Sequence, residues 1–385
     1  MRIVLLGTTV ACVIGFRGEL IKDLVARGHE VYAFALDYNQ ESSSRVAKLG
    51  AVPVNYAFSR AGLNPIGDFL NTLRLKRQLK RLGPDVVLTY FAKPVIFGTI
   101  AARLAGIRRV VGMLEGLGYV FTDDPAGESL KDRLLRHVQV SLYRLSLPLL
   151  ERLIFLNRDD PKDLVERHGL RVKESTVLGG IGLDLDRFNY SVPEINPVTF
   201  LFVGRLLKEK GINEYVEAAR LTKERFPETR FLVLGGLDEE NPGGLSKKEL
   251  MLLVERNVVE YPGYVEDVPE WIRQASVFVL PSYREGLPRS TQEAMAMGRA
   301  VITTDVPGCR ETVENHDNGI LVPAGDVQSL ADAMAHFIEN PDLVVSMGRE
   351  GRRIAEERYD VRYVNSSLIA FLEGPQSVGA LKNSV

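Results

Sequence analysis

Four apolar residues, Val277-Phe278-Val279-Leu280, run into the turn Pro281-Ser282-Tyr283-Arg284-Glu285-Gly286-Leu287-Pro288, and an Ala- and Met-rich stretch follows over 291–298. A short continuous apolar run bounded by turn residues reads as a buried strand, and the stretch after it as a helix. Pro288 suits the first turn of that helix, where a missing N–H costs nothing. The turn therefore lies at the carboxyl end of a strand and the amino end of a helix, which is where open α/β sheets bind ligands. Free N–H groups with a helix dipole behind them favour an anion such as a phosphate. Glu285 and Glu293 bracket the turn, one at its mouth and one a helical turn in. Diphosphate at the N–H groups and hydroxyls at the carboxylates together describe a nucleotide sugar.

The same unit recurs upstream. A strand-like run at 199–203 leads into Gly204-Arg205-Leu206-Leu207-Lys208-Glu209-Lys210-Gly211 and then a helical pattern. Gly204 permits close backbone approach, and Arg205 and Lys210 are cations suited to neutralising a diphosphate leaving group. Residues 1–178 alternate likewise, with strands at 3–6, 30–36, 52–54, 85–89, 109–113 and 153–156. Helices are expected at 16–27, 65–82, 94–104 and 130–150, the last bent or ended by Pro148. Such alternation implies doubly wound parallel sheets. Further strands are expected at 230–234 and 258–261, a Gly/Pro-rich loop at 238–246, two helices after Asp326, and a last helix at 359–372.

Length allows two or three domains. The near-zero net charge hides a split: residues 1–178 carry +8 and residues 179–385 carry −10. A basic first half suggests an anionic partner, either a lipid surface or a diphosphate. The helices over 65–82 and 130–150 mix apolar and cationic residues, which fits peripheral contact with anionic lipid. No nucleic-acid motif is present. Cys12 and Cys309 lie far apart, in no metal-ligand spacing; they read as packing residues in a reducing cytoplasm. The start, Met1 to Phe16, reads as strand, turn and helix rather than a leader, because Gly7-Thr8-Thr9 interrupts it and no small-residue cleavage site follows. No run reaches the ~18–20 apolar residues of a spanning helix. Asp123-Asp124 reads as a solvated pair rather than a metal site.

The two strand–turn–helix stretches, with Glu293-Ala294-Met295-Ala296-Met297-Gly298, Thr303-Thr304-Asp305-Val306-Pro307-Gly308-Cys309-Arg310-Glu311 and Asn318-Gly319-Ile320-Leu321-Val322-Pro323, resemble the retaining glycosyltransferases of the GT4 class. The branch resembled builds capsule and lipid-linked surface glycans. The resemblance implies an α/β chain of GT-B fold, two Rossmann-like doubly wound parallel-sheet domains facing an interdomain cleft. The expected division is an acceptor domain over 1–178, a hinge over 179–198, a nucleotide-sugar domain over 199–358, a helix over 359–373 crossing back to the first domain, and a disordered tail over 374–385.

The resemblance also implies roles. Gly204, Arg205, Lys210, Gly286 and Leu287 would hold the diphosphate, with Arg205 and Lys210 stabilising the leaving group. Glu293 would take ribose hydroxyls, Tyr264-Val265 would meet the base, and Glu285 would lie at the donor sugar. On the acceptor side, the loop Leu114-Glu115-Gly116-Leu117-Gly118-Tyr119 resembles the family loop facing the donor sugar, with Gly116 and Gly118 expected there. Glu115 stands where many relatives have histidine; its position is carried over as a catalytic candidate, and the histidine's role is not. Arg17, at an expected helix start, would face an acceptor phosphate. No cofactor or metal is expected. The reaction implied is sugar transfer, from a UDP-sugar to a polyprenyl-diphosphate-linked acceptor at the inner face of the cytoplasmic membrane. A nucleotide-sugar epimerase or hydrolase, a non-catalytic binding scaffold, and a transferase with a soluble acceptor remain as alternatives.

Overall fold

The computed structural model describes residues 1–58, 64–122, 129–237 and 245–374. Asp123-Asp124, most of the 238–246 loop and all but the first residue of the 374–385 tail lie outside the described residues. The chain forms two compact units, one from Met1–Val120, Ser129–Gly182 and the residues from Val361 on, the other built on Leu183–Asp360.

The first unit carries seven parallel strands: β1 (Arg2–Leu6), β2 (Glu30–Ala35), β3 (Val52–Asn55), β4 (Val86–Tyr90), β5 (Arg109–Leu114), β6 (Arg152–Phe155) and β7 (Ser175–Val177). Their order is β3-β2-β1-β4-β5-β6-β7. β1 pairs with β2 on one side and β4 on the other, so the winding reverses between β1 and β4. The helices are α1 (Val10–Ala26), α2 (Gln40–Lys48), α3 (Pro65–Leu82), α4 (Thr99–Leu104), α5 (Leu130–Ser146) and the short α6 (Asp159–Pro161). β4 is buried along its whole length, as expected for a central parallel strand covered on both faces.

α3 has the bounds its sequence predicts: Asn64 accepts from the Gly67 N–H, Pro65 opens the helix, and Gly83 ends it in the left-handed region. α5 ends before Pro148, which sits in a following 3₁₀ turn. Several features differ from the sequence reading, the unanticipated α6 among them. α1 begins at Val10, six residues before the expected start, with the Val10 N–H held by Asp37 Oδ1 at 2.7 Å. α2 was not anticipated, yet Asn39 and Ser42 form a reciprocal capping box at its start. β7 was also missed; it is a three-residue edge strand.

The second unit carries β8 (Thr199–Val203), β9 (Arg230–Leu234), β10 (Glu260–Gly263), β11 (Val277–Leu280), β12 (Ala300–Thr304) and β13 (Gly319–Val322), in the parallel order β10-β9-β8-β11-β12-β13. Its helices are α7 (Ile212–Arg225), α8 (Lys247–Glu255), α9 (Val268–Arg273), α10 (Arg289–Ala296), α11 (Val327–Glu339) and α12 (Pro341–Arg358). The winding reverses between β8 and β11, so the loops leaving these two strands are neighbours. The last helix, α13 (Val361–Glu373), belongs to the first unit, where Asn365 Nδ2 donates to Asp23 Oδ2 at 2.7 Å and Arg109 Nη1 to the Glu373 carbonyl at 3.0 Å.

Buried Arg299 organises the second unit. Among the described residues it has no carboxylate partner; its guanidinium donates to the carbonyls of Ile272, Arg273, Met297 and Ser191 and to Ser191 Oγ. The Ile272 and Arg273 carbonyls end α9 and that of Met297 follows α10, where helix dipoles favour a cation. Burial nevertheless pulls its pKa down to about 10.

Candidate functional site

In the second unit the structure joins the two loops singled out in the sequence. The β8–α7 loop (204–211) and the β11–α10 loop (281–288) lie at the carboxyl edge of the sheet, on either side of the winding reversal. Lys210 Nζ and Glu285 form an ion pair with both side chains largely buried. Ser282 Oγ lies 2.9 Å from Glu285 Oε1 and 2.8 Å from the Glu209 carbonyl, either of which its one proton can serve, and the Tyr283 N–H donates to the same carbonyl at 3.0 Å.

Glycines make this closeness possible. Gly211 adopts φ +73°, and a Cβ there would overlap the Pro281 carbonyl. Gly308, at φ +79°, presses its backbone against the carbonyls of Glu285 and Gly286, while the Glu285 N–H donates to the Pro307 carbonyl at 3.1 Å. A further close approach involves Gly204: Gly235 adopts φ +145°, and its missing Cβ leaves room for the Gly204 carbonyl.

Gly286 and Leu287 are buried where the turn meets α10. Pro288 caps α10 rather than standing inside its first turn. Glu293 lies one turn in and pairs with Arg289 Nε at 3.0 Å. Burial raises its carboxyl above the ordinary 4.5, and Arg289 opposes that rise. Arg205 is exposed and, among the described residues, has no ion-pair partner. Tyr264, after β10, is 79% exposed, and Val265 is half-buried. The site thus offers two cations and a helix amino terminus to an anion, with two carboxylates to bind hydroxyls. Cys309 is buried with its thiol pushed up to about 12, consistent with packing.

In the first unit Arg17 and Glu115 form a buried ion pair, with side chains 1% and 7% exposed. Arg17 stands two turns inside α1, not at its start, and is not presented to solvent. Its guanidinium lies 4.6 Å over the Tyr90 ring. Tyr90 itself is packed under Gly7, where a Cβ would overlap the ring. Arg17 therefore fixes the Glu115 carboxylate. Gly116 and Gly118 follow at φ +122° and +86°, flanking buried Leu117. The sequence treats Arg17 and Glu115 separately, because β4 stands between the strands that lead into them, and no local signal joins the two. The supporting contacts of Ser282, Gly211 and Gly308 were also missed, since they run through backbone atoms of distant loops.

Residues 187–354 match the model of "Glycosyl transferases group 1", and residues 18–184 that of "Glycosyltransferase Family 4". The chain is 30% identical over 370 residues to the N,N'-diacetylbacillosaminyl-diphospho-undecaprenol alpha-1,3-N-acetylgalactosaminyltransferase of Campylobacter jejuni, covering 92% of this chain and 94% of that one. It is 28% identical to the UDP-Gal:alpha-D-GlcNAc-diphosphoundecaprenol alpha-1,3-galactosyltransferase of Escherichia coli, covering 72% of each. Among solved structures, Anabaena Alr3699/HepE in complex with UDP and glucose superposes with a TM-score of 0.77 at 19% identity, over 97% of this chain and 100% of that one.

Proposed function

The chain belongs to the family 4 glycosyltransferases, with the two Rossmann-like units of the GT-B fold, and from that premise we propose that it moves a sugar, with retention at the anomeric carbon, from a UDP-sugar to a polyprenyl-diphosphate-linked acceptor in surface-glycan assembly. The observation that carries this reading is the joined Lys210–Glu285 site at the winding reversal of the second sheet. The two relatives whose names print a lipid-diphosphate acceptor supply the acceptor class.

Arg205, Lys210 and the N–H groups at Gly286 and Leu287 take the diphosphate, Glu293 the ribose hydroxyls, and Tyr264-Val265 the base. When the bond from the anomeric carbon to the diphosphate oxygen breaks, negative charge grows on the leaving group. Fixed cations stabilise that charge more than the ground state, which is the condition for catalysis. The acceptor hydroxyl attacks from the leaving-group face and its proton passes to the departing phosphate oxygen. With the diphosphate charge met by Arg205 and Lys210, the step needs no metal. Glu285 then shares Lys210 and turns to the sugar hydroxyls. Arg17 and Glu115 act as positioning residues that hold the Gly116–Gly118 turn on the acceptor unit.

A lipid-linked acceptor requires access to a membrane surface. No described helix is long and apolar enough to cross one. The first turns of α3 present Ile66 and Phe69, 76% and 62% exposed, and exposed Arg74, Arg77, Lys80 and Arg81 follow. Apolar insertion backed by cations fits an anionic leaflet, each cation contributing about 1 kcal/mol. Peripheral attachment at the inner face of the cytoplasmic membrane follows from this reading.

The test is transfer across a panel of nucleotide sugars, with and without a polyprenyl-diphosphate sugar, read by mass spectrometry. Sugar added to the lipid supports the reading. Free sugar or an epimer without acceptor would replace it with the hydrolase or epimerase, and UDP binding without any turnover would replace it with the scaffold.

A further inference from the structure

A second side-chain contact runs beside the Lys210–Glu285 ion pair and joins the same two loops. Tyr283, 8% exposed, stands two residues before Glu285, and its phenol donates to Glu214 Oε1 at 2.7 Å. Glu214 lies four residues after Lys210, in the first turn of α7, where the helix dipole favours an anion. Its other oxygen, Oε2, is buried and accepts no hydrogen bond among the described residues. The half-buried carboxylate therefore depends on the phenol. A hydrogen bond to an ionised acceptor is stronger than a neutral one, and losing it would leave a desolvated anion without a donor. The Tyr283 N–H is held by the Glu209 carbonyl, so Tyr283 is tied to the 204–211 loop and the start of α7 by backbone and side chain alike.

We propose that Tyr283 and Glu214 are positioning residues for sugar transfer, keeping the β8–α7 and β11–α10 loops in register once substrate opens the Lys210–Glu285 pair. The inference rests on the donor site proposed above. In the free protein the ion pair itself bridges the loops. A bound diphosphate engages the Lys210 ammonium, so that bridge is weakened in the state where the spacing of Lys210 from Glu285 decides the rate. The Tyr283–Glu214 bond uses neither group and outlasts the exchange. Both its partners belong to the elements that carry the reacting side chains, Glu214 one helical turn beyond Lys210 and Tyr283 in the same turn as Glu285.

Donor kinetics and melting temperature are measured for the wild type, Tyr283→Phe, Glu214→Gln, Glu214→Ala and the double variant Tyr283→Phe/Glu214→Ala. Tyr283→Phe should lower kcat about tenfold while changing donor KM by less than about threefold, because the reacting groups lose alignment and the ligand contacts remain. Glu214→Gln should stay within about threefold of the wild type, since its amide oxygen still accepts from the phenol. Glu214→Ala should match Tyr283→Phe, and the double variant should fall no further than either single one, as residues acting through one contact do. A kcat for Tyr283→Phe within about twofold of the wild type, with only the melting temperature lowered, would make the contact a matter of stability and overturn the inference. If no nucleotide sugar is turned over at all, the proposed function fails instead, and backbone hydrogen exchange still decides the contact. Lys210→Ala removes the ion pair without any ligand; adding Tyr283→Phe should then speed exchange over 281–288 about fivefold or more, because a protecting contact is lost. Equal exchange in Lys210→Ala and Lys210→Ala/Tyr283→Phe overturns the inference.

Discussion

Lys210 and Glu285, 75 positions apart, form an ion pair where the loops after β8 and β11 meet. Each was singled out by its own strand–turn–helix stretch, and their pairing gives those stretches one purpose. Without ligand, each group neutralises the other in a largely buried place. Under the proposed function, an incoming diphosphate would compete with Glu285 for the ammonium and leave the carboxylate to the sugar.

Replacing Lys210 by alanine removes one of the two cations that the proposed function sets against the leaving-group charge. We expect turnover to fall at least tenfold, corresponding to about 1.4 kcal/mol of transition-state stabilisation. The fall should appear in kcat as well as kcat/KM, because the interaction strengthens in the transition state. A near-normal kcat would place Lys210 away from the diphosphate.

Gly308→Ala should disable the site without touching ligand. The added Cβ overlaps the carbonyls of Glu285 and Gly286 and also sits at an unfavourable positive φ. Shifting the Glu285 turn by even a fraction of an ångström misaligns the reacting groups. Activity is expected to drop by at least tenfold with the circular dichroism spectrum retained. Wild-type kinetics would show that the turn tolerates the displacement.

Much of this was legible in the sequence, and the gaps have physical causes. Strands such as β4 and β11 are continuous apolar runs, so they announce themselves. α3 carries its own start and stop signals in Asn64, Pro65 and Gly83. α1 was begun too late because Val10 to Ile14 are largely apolar and favour a strand locally, whereas the Asp37 carboxylate that anchors the helix is 27 residues away. α2 buries only Val46, so its apolar period was faint although its capping box was readable. The Lys210 and Glu285 loops could be picked out because charge and glycine at strand ends are local signals. The Arg17–Glu115 pair could not, because it depends on the order of the strands in the sheet.

The Arg17–Glu115 pair is nearly inaccessible to water, so breaking it should cost far more than replacing it. Glu115→Ala strands the guanidinium in an apolar setting, with an expected loss of about 3–5 kcal/mol. The double variant Arg17→Met/Glu115→Leu should recover most of that loss, since apolar residues of similar volume fill the same space. Denaturant unfolding of the single and double variants measures this. Equal destabilisation in both would mean that packing, not charge, dominates.

Arg299 is held by acceptors alone, and its removal leaves several buried carbonyls unsatisfied. Each such group costs about 1–3 kcal/mol, so Arg299→Met should lower Tm by roughly 8 °C or more. Arg299→Lys should recover less than half, because one ammonium cannot span the Ser191, Ile272 and Met297 carbonyls that the guanidinium fork reaches. A thermal shift near zero in either variant would refute the stapling role.

Glu293 supplies a pH-dependent test. Burial raises its pKa above the ordinary 4.5, so the folded chain holds this proton more tightly than the unfolded chain does. The stability this contributes is fully present below 4.5 and is lost as pH rises through the higher folded value. Glutamine at this position does not titrate. The stability of Glu293→Gln relative to the wild type should therefore grow from pH 4 to pH 7, read as urea midpoints, while the other carboxylates cancel between the two proteins. At pH 7 the same variant should bind UDP less tightly, because the amide is a poorer acceptor of ribose hydroxyls than the carboxylate. A stability difference that stays constant with pH would mean that Arg289 compensates the burial fully, and unchanged UDP affinity would remove Glu293 from the ribose.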